Sequence, residues 1–184
     1  MSESIFAKGK LFELVHREQE DGRIFETARR APGVRLIIHD NEAKKVLLTR
    51  EYRQELGEWD YRLPGGKVFD SLDEFEAFRR SGDDVVEAAK SQGIIEGQQE
   101  AGIAITTLNL YKKSVLGATV EWDLYVMEST DWQASVAGQE LEVGEMIDAD
   151  VWATYDEARK MALDGSMQEE RVALILLQWL ADKS

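Results

Sequence analysis

Cysteine is absent from the 184 residues, which excludes disulfides and thiolate metal sites. Proline occurs only twice, and no internal repeat or low-complexity tract interrupts the chain. No apolar run is long enough to cross a bilayer, and the opening "MSESIFAKGK" lacks the apolar core of a signal peptide. The expectation is a soluble, cytoplasmic protein with no membrane partner. Basic residues are scarce as well: 22 Lys and Arg against 36 Asp and Glu leave a net charge of −14. With no basic stripe to offset phosphate charge, nucleic acid is excluded as a partner. An anionic small molecule would have to be met by metal ions and a few placed arginines.

What is present is ordinary globular composition, and the length fits one domain, 1–184, with a substantial core. Residues 9–18 and 23–30 alternate enough for two strands around the turn Glu20–Gly22, and 33–40 and 44–53 read as two more strands joined by the polar turn "DNEA". "YRLPGGKV" predicts a short strand ending in paired glycines. Residues 72–80 and 83–101 carry helical patterning, with Leu72, Phe75 and Phe78 on one stripe. The runs 103–116 and 120–128 predict strands, 128–144 a polar link, 145–155 a strand, and 155–165 and 168–183 amphipathic helices. This order implies an α/β (α+β) sandwich with a mixed sheet.

Two segments carry chemistry. The pair Gly65-Gly66 permits a turn, or a backbone that passes close to a ligand and offers a carbonyl to a metal. Downstream, Glu96, Gln99 and Glu100 share one helical face. Like charges one turn apart cost a few tenths of a kcal/mol on a solvated helix. Oxygen ligands at that spacing also suit Mg2+, which takes one or two carboxylates plus substrate phosphate and water. His16 and His39 have no metal-spaced partners and read as structural.

"PGGKVFD" followed by "IEGQQEAGI" resembles the Nudix box, G-x5-E-x7-R-E-U-x-E-E-x-G-U with U a bulky aliphatic residue. Gly66 matches its opening glycine, Glu96 the glutamate after its arginine, Gln99 and Glu100 its final acidic pair, and Gly102-Ile103 its close. The box is degenerate: about fifteen extra residues, an insertion at 71–82 among them, separate glycine and helix. Ile95 stands for the arginine, Gly97 for the aliphatic residue and Gln99 for a glutamate. "VLLTREYRQELGEWDYRLPGGKV", "GATVEWDLYVME" and "VGEMIDADVWATYDEARKMALDGSM" are similar to segments of the ADP-ribose and nucleotide-sugar pyrophosphatases of that family.

The resemblance implies a Nudix-like α/β/α sandwich and hydrolysis of the diphosphate in a nucleoside diphosphate linked to another moiety. It implies Mg2+ (or Mn2+) held by Glu96, Glu100, Gln99 and the Gly66 carbonyl, with Glu96 or Glu145 as general base. Arg53 matches a phosphate-contacting arginine; its alternative is an ion pair with Glu51 or Glu55. Arg30, beside Arg29, meets phosphate or offsets the acidic surface. Glu121 and Trp122 line the substrate pocket or form an exposed pair on a strand face. A homodimer exchanging the N-terminal strands of residues 1–30 is also implied. The alternatives are a weakened site that binds a nucleotide ligand as a sensor, and an interaction scaffold.

Overall fold

The structure, a computed structural model, describes residues 2–54 and 56–183; Glu55, weighed as a partner of Arg53, lies outside them. Strands β1 (Ser2–Lys8), β2 (Phe12–Glu18) and β3 (Ile24–Arg30) pair antiparallel in sequence, and the short β9 (Val120–Glu121) joins β3 in parallel. β1 was not foreseen: it is exposed throughout, so no burial alternation marks it.

The larger sheet runs β12 (Ile147–Thr154), β5 (Lys45–Arg53), β4 (Gly33–Asp40), β10 (Leu124–Ser129) and β8 (Asn109–Ser114), with β6 (Glu58–Arg62) paired to β5. β4 and β10 are parallel and the other pairs antiparallel, which is the expected mixed sheet. β4 is buried from Gly33 to His39, and its apolar run is that of a strand covered on both faces. Val34, Leu36 and Ile38 pack in the cluster with helix α2 (Val85–Ala101), while Ile37 packs with Val172, Leu176 and Trp179 of helix α4 (Glu170–Asp182). Helix α3 (Tyr155–Leu163) lies on the α4 side. The layers are therefore helix, sheet, helix.

Several expected boundaries move. The run 103–116 divides into β7 (Ile103–Ile105) and β8, and 120–128 divides into β9 and β10, because the chain changes sheets within each. The link 128–144 holds β11 (Trp132–Ala134), which pairs with β7. The strand before the glycines ends at Arg62, ahead of Pro64.

The inserted segment is a packing helix, α1 (Leu72–Ser81). Ser71 caps its first turn by accepting the Glu74 N–H at 3.1 Å, and Gly82, at φ 82°, ends it. Phe75 and Phe78 lie 5.2 and 5.0 Å from the Phe69 ring. Lys8 pairs with Asp73 at 2.8 Å, tying the helix to the N-terminal sheet.

Candidate active site

The site is assembled by how closely α2 approaches the sheet. Its buried residues are Ala89, Gly93, Gly97 and Ala101, a small residue every fourth position. This stripe lets the helix backbone come down on β4 and β7: a Cβ at Gly97 would lie 2.5 Å from Ile105 Cδ1, and one at Gly93 3.0 Å from Leu36 Cδ2. Glu96 and Glu100 each precede a stripe member, so the close approach delivers both carboxylates to the glycine pair. Glu100 Oε2 accepts the Gly65 N–H at 2.6 Å, and the Glu96 carboxylate occupies the space where Gly66 would carry a Cβ. Gly65 has φ 134° with Val34 O and Arg35 Cα against it, so only glycine fits.

These groups line a cleft of about 470 Å³. Burial raises the Glu100 pKa to about 7, opposed by Arg35 and the Gly65 N–H and assisted by Glu96. Burial also raises Glu96, with Gln92 and Arg35 opposing and the loop glutamates Glu145 and Glu142 adding to the rise. Glu145 accepts the Glu142 N–H at 2.9 Å, which folds the loop so that both acids border the cleft. That loop is fastened to the end of α2: Gln98 donates to the Gly138 carbonyl at 2.8 Å, and Gln139 to the Glu100 carbonyl at 2.6 Å.

Facing the acids is a set of arginines. Arg35 is buried, donates to the carbonyls of Gly65 and Val34, and reaches Glu169 at 3.5 Å. Burial lowers its pKa, and its charge in turn lowers those of Glu96 and Glu100. Burial works against the Arg62 charge too, but Glu51, Glu100 and Glu169 outweigh it. Arg53 donates to Glu51 at 3.0 Å. Arg30, its pKa lowered by burial, lies 5.2 Å from the Phe12 ring centroid and 4.4 Å from that of Trp122. Arg171 lies 5.2 Å from the same indole centroid. Among the described residues, buried polar atoms without a partner include Arg35 Nε, Trp122 Nε1, Glu169 Oε1 and Arg171 Nη1, all in or beside this cleft.

A solved structure of an ADP compounds hydrolase is similar to this chain over 100% of its length and 94% of the other, at 20% identity and TM-score 0.69. The chain has a Nudix fold. A weaker likeness, TM-score 0.47 at 17% identity over 72% of this chain and 85% of the other, is to a MutT structure (Aliivibrio salmonicida and Vibrio cholerae). No protein-family model and no curated protein matches the sequence.

Within the Nudix fold, Gly66, Glu96, Gln99, Glu100, Glu145, Arg53 and Arg30 all border the one cleft. Glu121 does not. It is held on the other side by Arg17 and by Arg29 at 2.7 Å, so the expectation that it contacts substrate in this cleft is corrected. Trp122, its neighbour just past the end of β9, does line the cleft. The Gly66 carbonyl already accepts the Val34 N–H at 3.0 Å, leaving its second lone pair for any further ligand.

Sequence reasoning passed over Arg35, Arg62, Glu142 and Glu169, and named Glu51 only as an ion-pair partner of Arg53, which it is. Arg35 carried a signal: one arginine inside the apolar run "GVRLIIHD" has to find an acid or a carbonyl if that strand is buried. It brings from β4 the positive charge behind the helix carboxylates that Ile95, half exposed on α2, cannot supply. Among the described residues, no three or more His, Asp or Glu side chains converge as a ready metal cage. Glu96 and Glu100 nevertheless offer hard oxygens one turn apart at the cleft wall, which fits a cation whose shell is completed by phosphate and water.

Proposed function

We propose that the chain is a metal-dependent pyrophosphohydrolase of nucleoside diphosphates linked to another moiety, such as ADP-ribose or a nucleotide sugar. The observation that carries this reading is the meeting of Glu96 and Glu100 with the glycine pair opposite Arg30, Arg35, Arg53 and Arg62 in one cleft. The similarity of fold to an ADP compounds hydrolase supports the choice of substrate class.

Arg30 and Arg53 bind phosphate oxygens. The Arg30 guanidinium lies over the Phe12 and Trp122 rings, cation–π contacts that hold it at the cleft wall without engaging a carboxylate. Arg62 holds Glu51 by a direct hydrogen bond, and Arg35 holds Gly65, whose N–H seats Glu100; both arginines balance the charge of Glu100. Glu96 and Glu100, with the Gln99 carbonyl oxygen, would hold Mg2+ or Mn2+. Bound there, the cation supplies neutralisation of phosphate charge and activation of phosphorus towards attack. Glu145, or Glu96, takes a proton from the attacking water as the new P–O bond forms and the bridging P–O bond breaks. The products are a nucleoside monophosphate and a phosphorylated sugar.

The test is release of nucleoside monophosphate from ADP-ribose and a nucleotide-sugar panel, with and without Mg2+ or Mn2+. The Glu96→Gln/Glu100→Gln double variant serves as control. Metal-dependent release that the double variant abolishes is expected. A ligand-induced thermal shift with no release across the panel would sink hydrolysis. It would favour a nucleotide sensor, the reading to which Gln99 and the Glu100–Gly65 hydrogen bond otherwise lean.

A further inference from the structure

A second recess, of about 480 Å³, shares Arg30 and Trp122 with the cleft as a common wall. The inserted helix contributes to its lining: Phe75 and Arg79 of α1 border it together with Lys113 of β8 and Tyr125 of β10. In a chain of net charge −14, four cations and two acids line it. Two of the cations are spoken for. Arg29 is bound by Glu121, Glu13 and Glu3, and Lys113 by Asp123 at 2.7 Å. Arg30 and Arg79 have no acidic side chain at ion-pair distance among the described residues. Arg79 lies over the Phe75 ring, at 5.7 Å from its centroid.

Its neighbour Arg80 occupies the same last turn of α1, where either arginine favours the negative end of the helix. Arg79 alone of the two lines the recess. The wall that presents it is held from behind by Phe69 against Phe75 and Phe78, and by Leu72 N–H donating to Lys10 O at 3.0 Å. The recess thus has aromatic sides, a fixed wall and an unneutralised guanidinium at its rim.

We propose that this recess is a specificity site for an anionic group carried on the ligand away from its diphosphate, read by Arg79. The shared chemistry is a phosphate ester or carboxylate on a ribose or sugar ring, with the ring against Phe75 and Tyr125. The assignment rests on the reading of the neighbouring cleft as the diphosphate site.

The experiment is titration calorimetry on the full chain with two matched pairs, 2′-phospho-ADP-ribose against ADP-ribose and UDP-glucuronate against UDP-glucose. The wild type is expected to prefer the extra anion in at least one pair by roughly tenfold, the scale of one charge-assisted hydrogen bond. Which pair responds identifies phosphate or carboxylate as the group. Arg79→Glu should remove the preference, and Arg80→Glu, with the same charge change at the same helix end, should keep it. Equal loss in both variants, or no preference in either pair, overturns the assignment. Preference without turnover would sink the hydrolase reading and leave this site standing; no binding by any of the four ligands would sink both.

Discussion

Two adjacent glycines receive the same methyl group with opposite consequences. At Gly65 an alanine meets backbone, Val34 O and Arg35 Cα, at a φ that L-residues rarely adopt. Gly65→Ala is expected to destabilise by about 3 kcal/mol, from overpacking and backbone strain together, seen as a lower midpoint in urea. At Gly66 the three atoms nearest the methyl all belong to the Glu96 carboxylate, the end of a flexible side chain rather than backbone. Gly66→Ala should therefore fold normally and lose metal-dependent release by about tenfold or more. Glu100 adds a pH signature. With its folded pKa raised to about 7 from the ordinary 4.5, the folded chain holds this proton more tightly than the unfolded chain. The stability it contributes is complete below the unfolded value and is lost as pH rises through about 7. The metal-free melting temperature should fall more steeply between those values in the wild type than in Glu100→Gln. Equal slopes would show that Glu100 does not titrate there.

At the scale of elements, helix α2 shows why this segment differs from the Nudix box it resembles. Gly97 stands where a bulky aliphatic residue is usual because the helix lies too close to β7 to admit one. Restoring the pattern with Gly97→Leu is expected to cost about 2 kcal/mol or more despite the better helix propensity of leucine, measurable by chemical denaturation. The sequence could show the glycine but not the distance, since a missing side chain reads the same whether space is lacking or unneeded. Other elements were legible for stated reasons. β4 had its apolar run, α1 the stripe of Leu72, Phe75 and Phe78, and α3 its amphipathic pattern. β1 and β11 lacked any such periodicity, because neither buries a face. The cleft residues were legible where a motif fixed their spacing, as for Glu96, Glu100 and Gly66. They were hidden where only the meeting of distant strands defines them, as for Arg35 and Arg62 against Glu169.

At the scale of the whole molecule, the N-terminal sheet exposes Ile5, Phe6, Phe12, Ile24 and Phe25, each about half exposed or more. Apolar residues concentrated on one small sheet, beside an exposed edge strand, suit association with a second copy. Sedimentation at micromolar concentration is expected to show a dimer that Phe6→Glu/Phe25→Glu converts to monomer. A monomeric wild type would remove this surface as the explanation of those residues. The hydrogen bond from the Gly65 N–H to Glu100 spans 35 positions of sequence, and everything between its ends, α1 included, is a loop in the topological sense. Closing a longer loop costs little, about 0.6 kcal/mol for each doubling. The clamp therefore uncouples two evolutionary tasks. The carboxylates keep their seat on the glycines while the part of the segment ahead of α2, residues 71–82, can be lengthened, shortened or exchanged, so new ligand preferences can be acquired there as a cassette without rebuilding the site it overlooks.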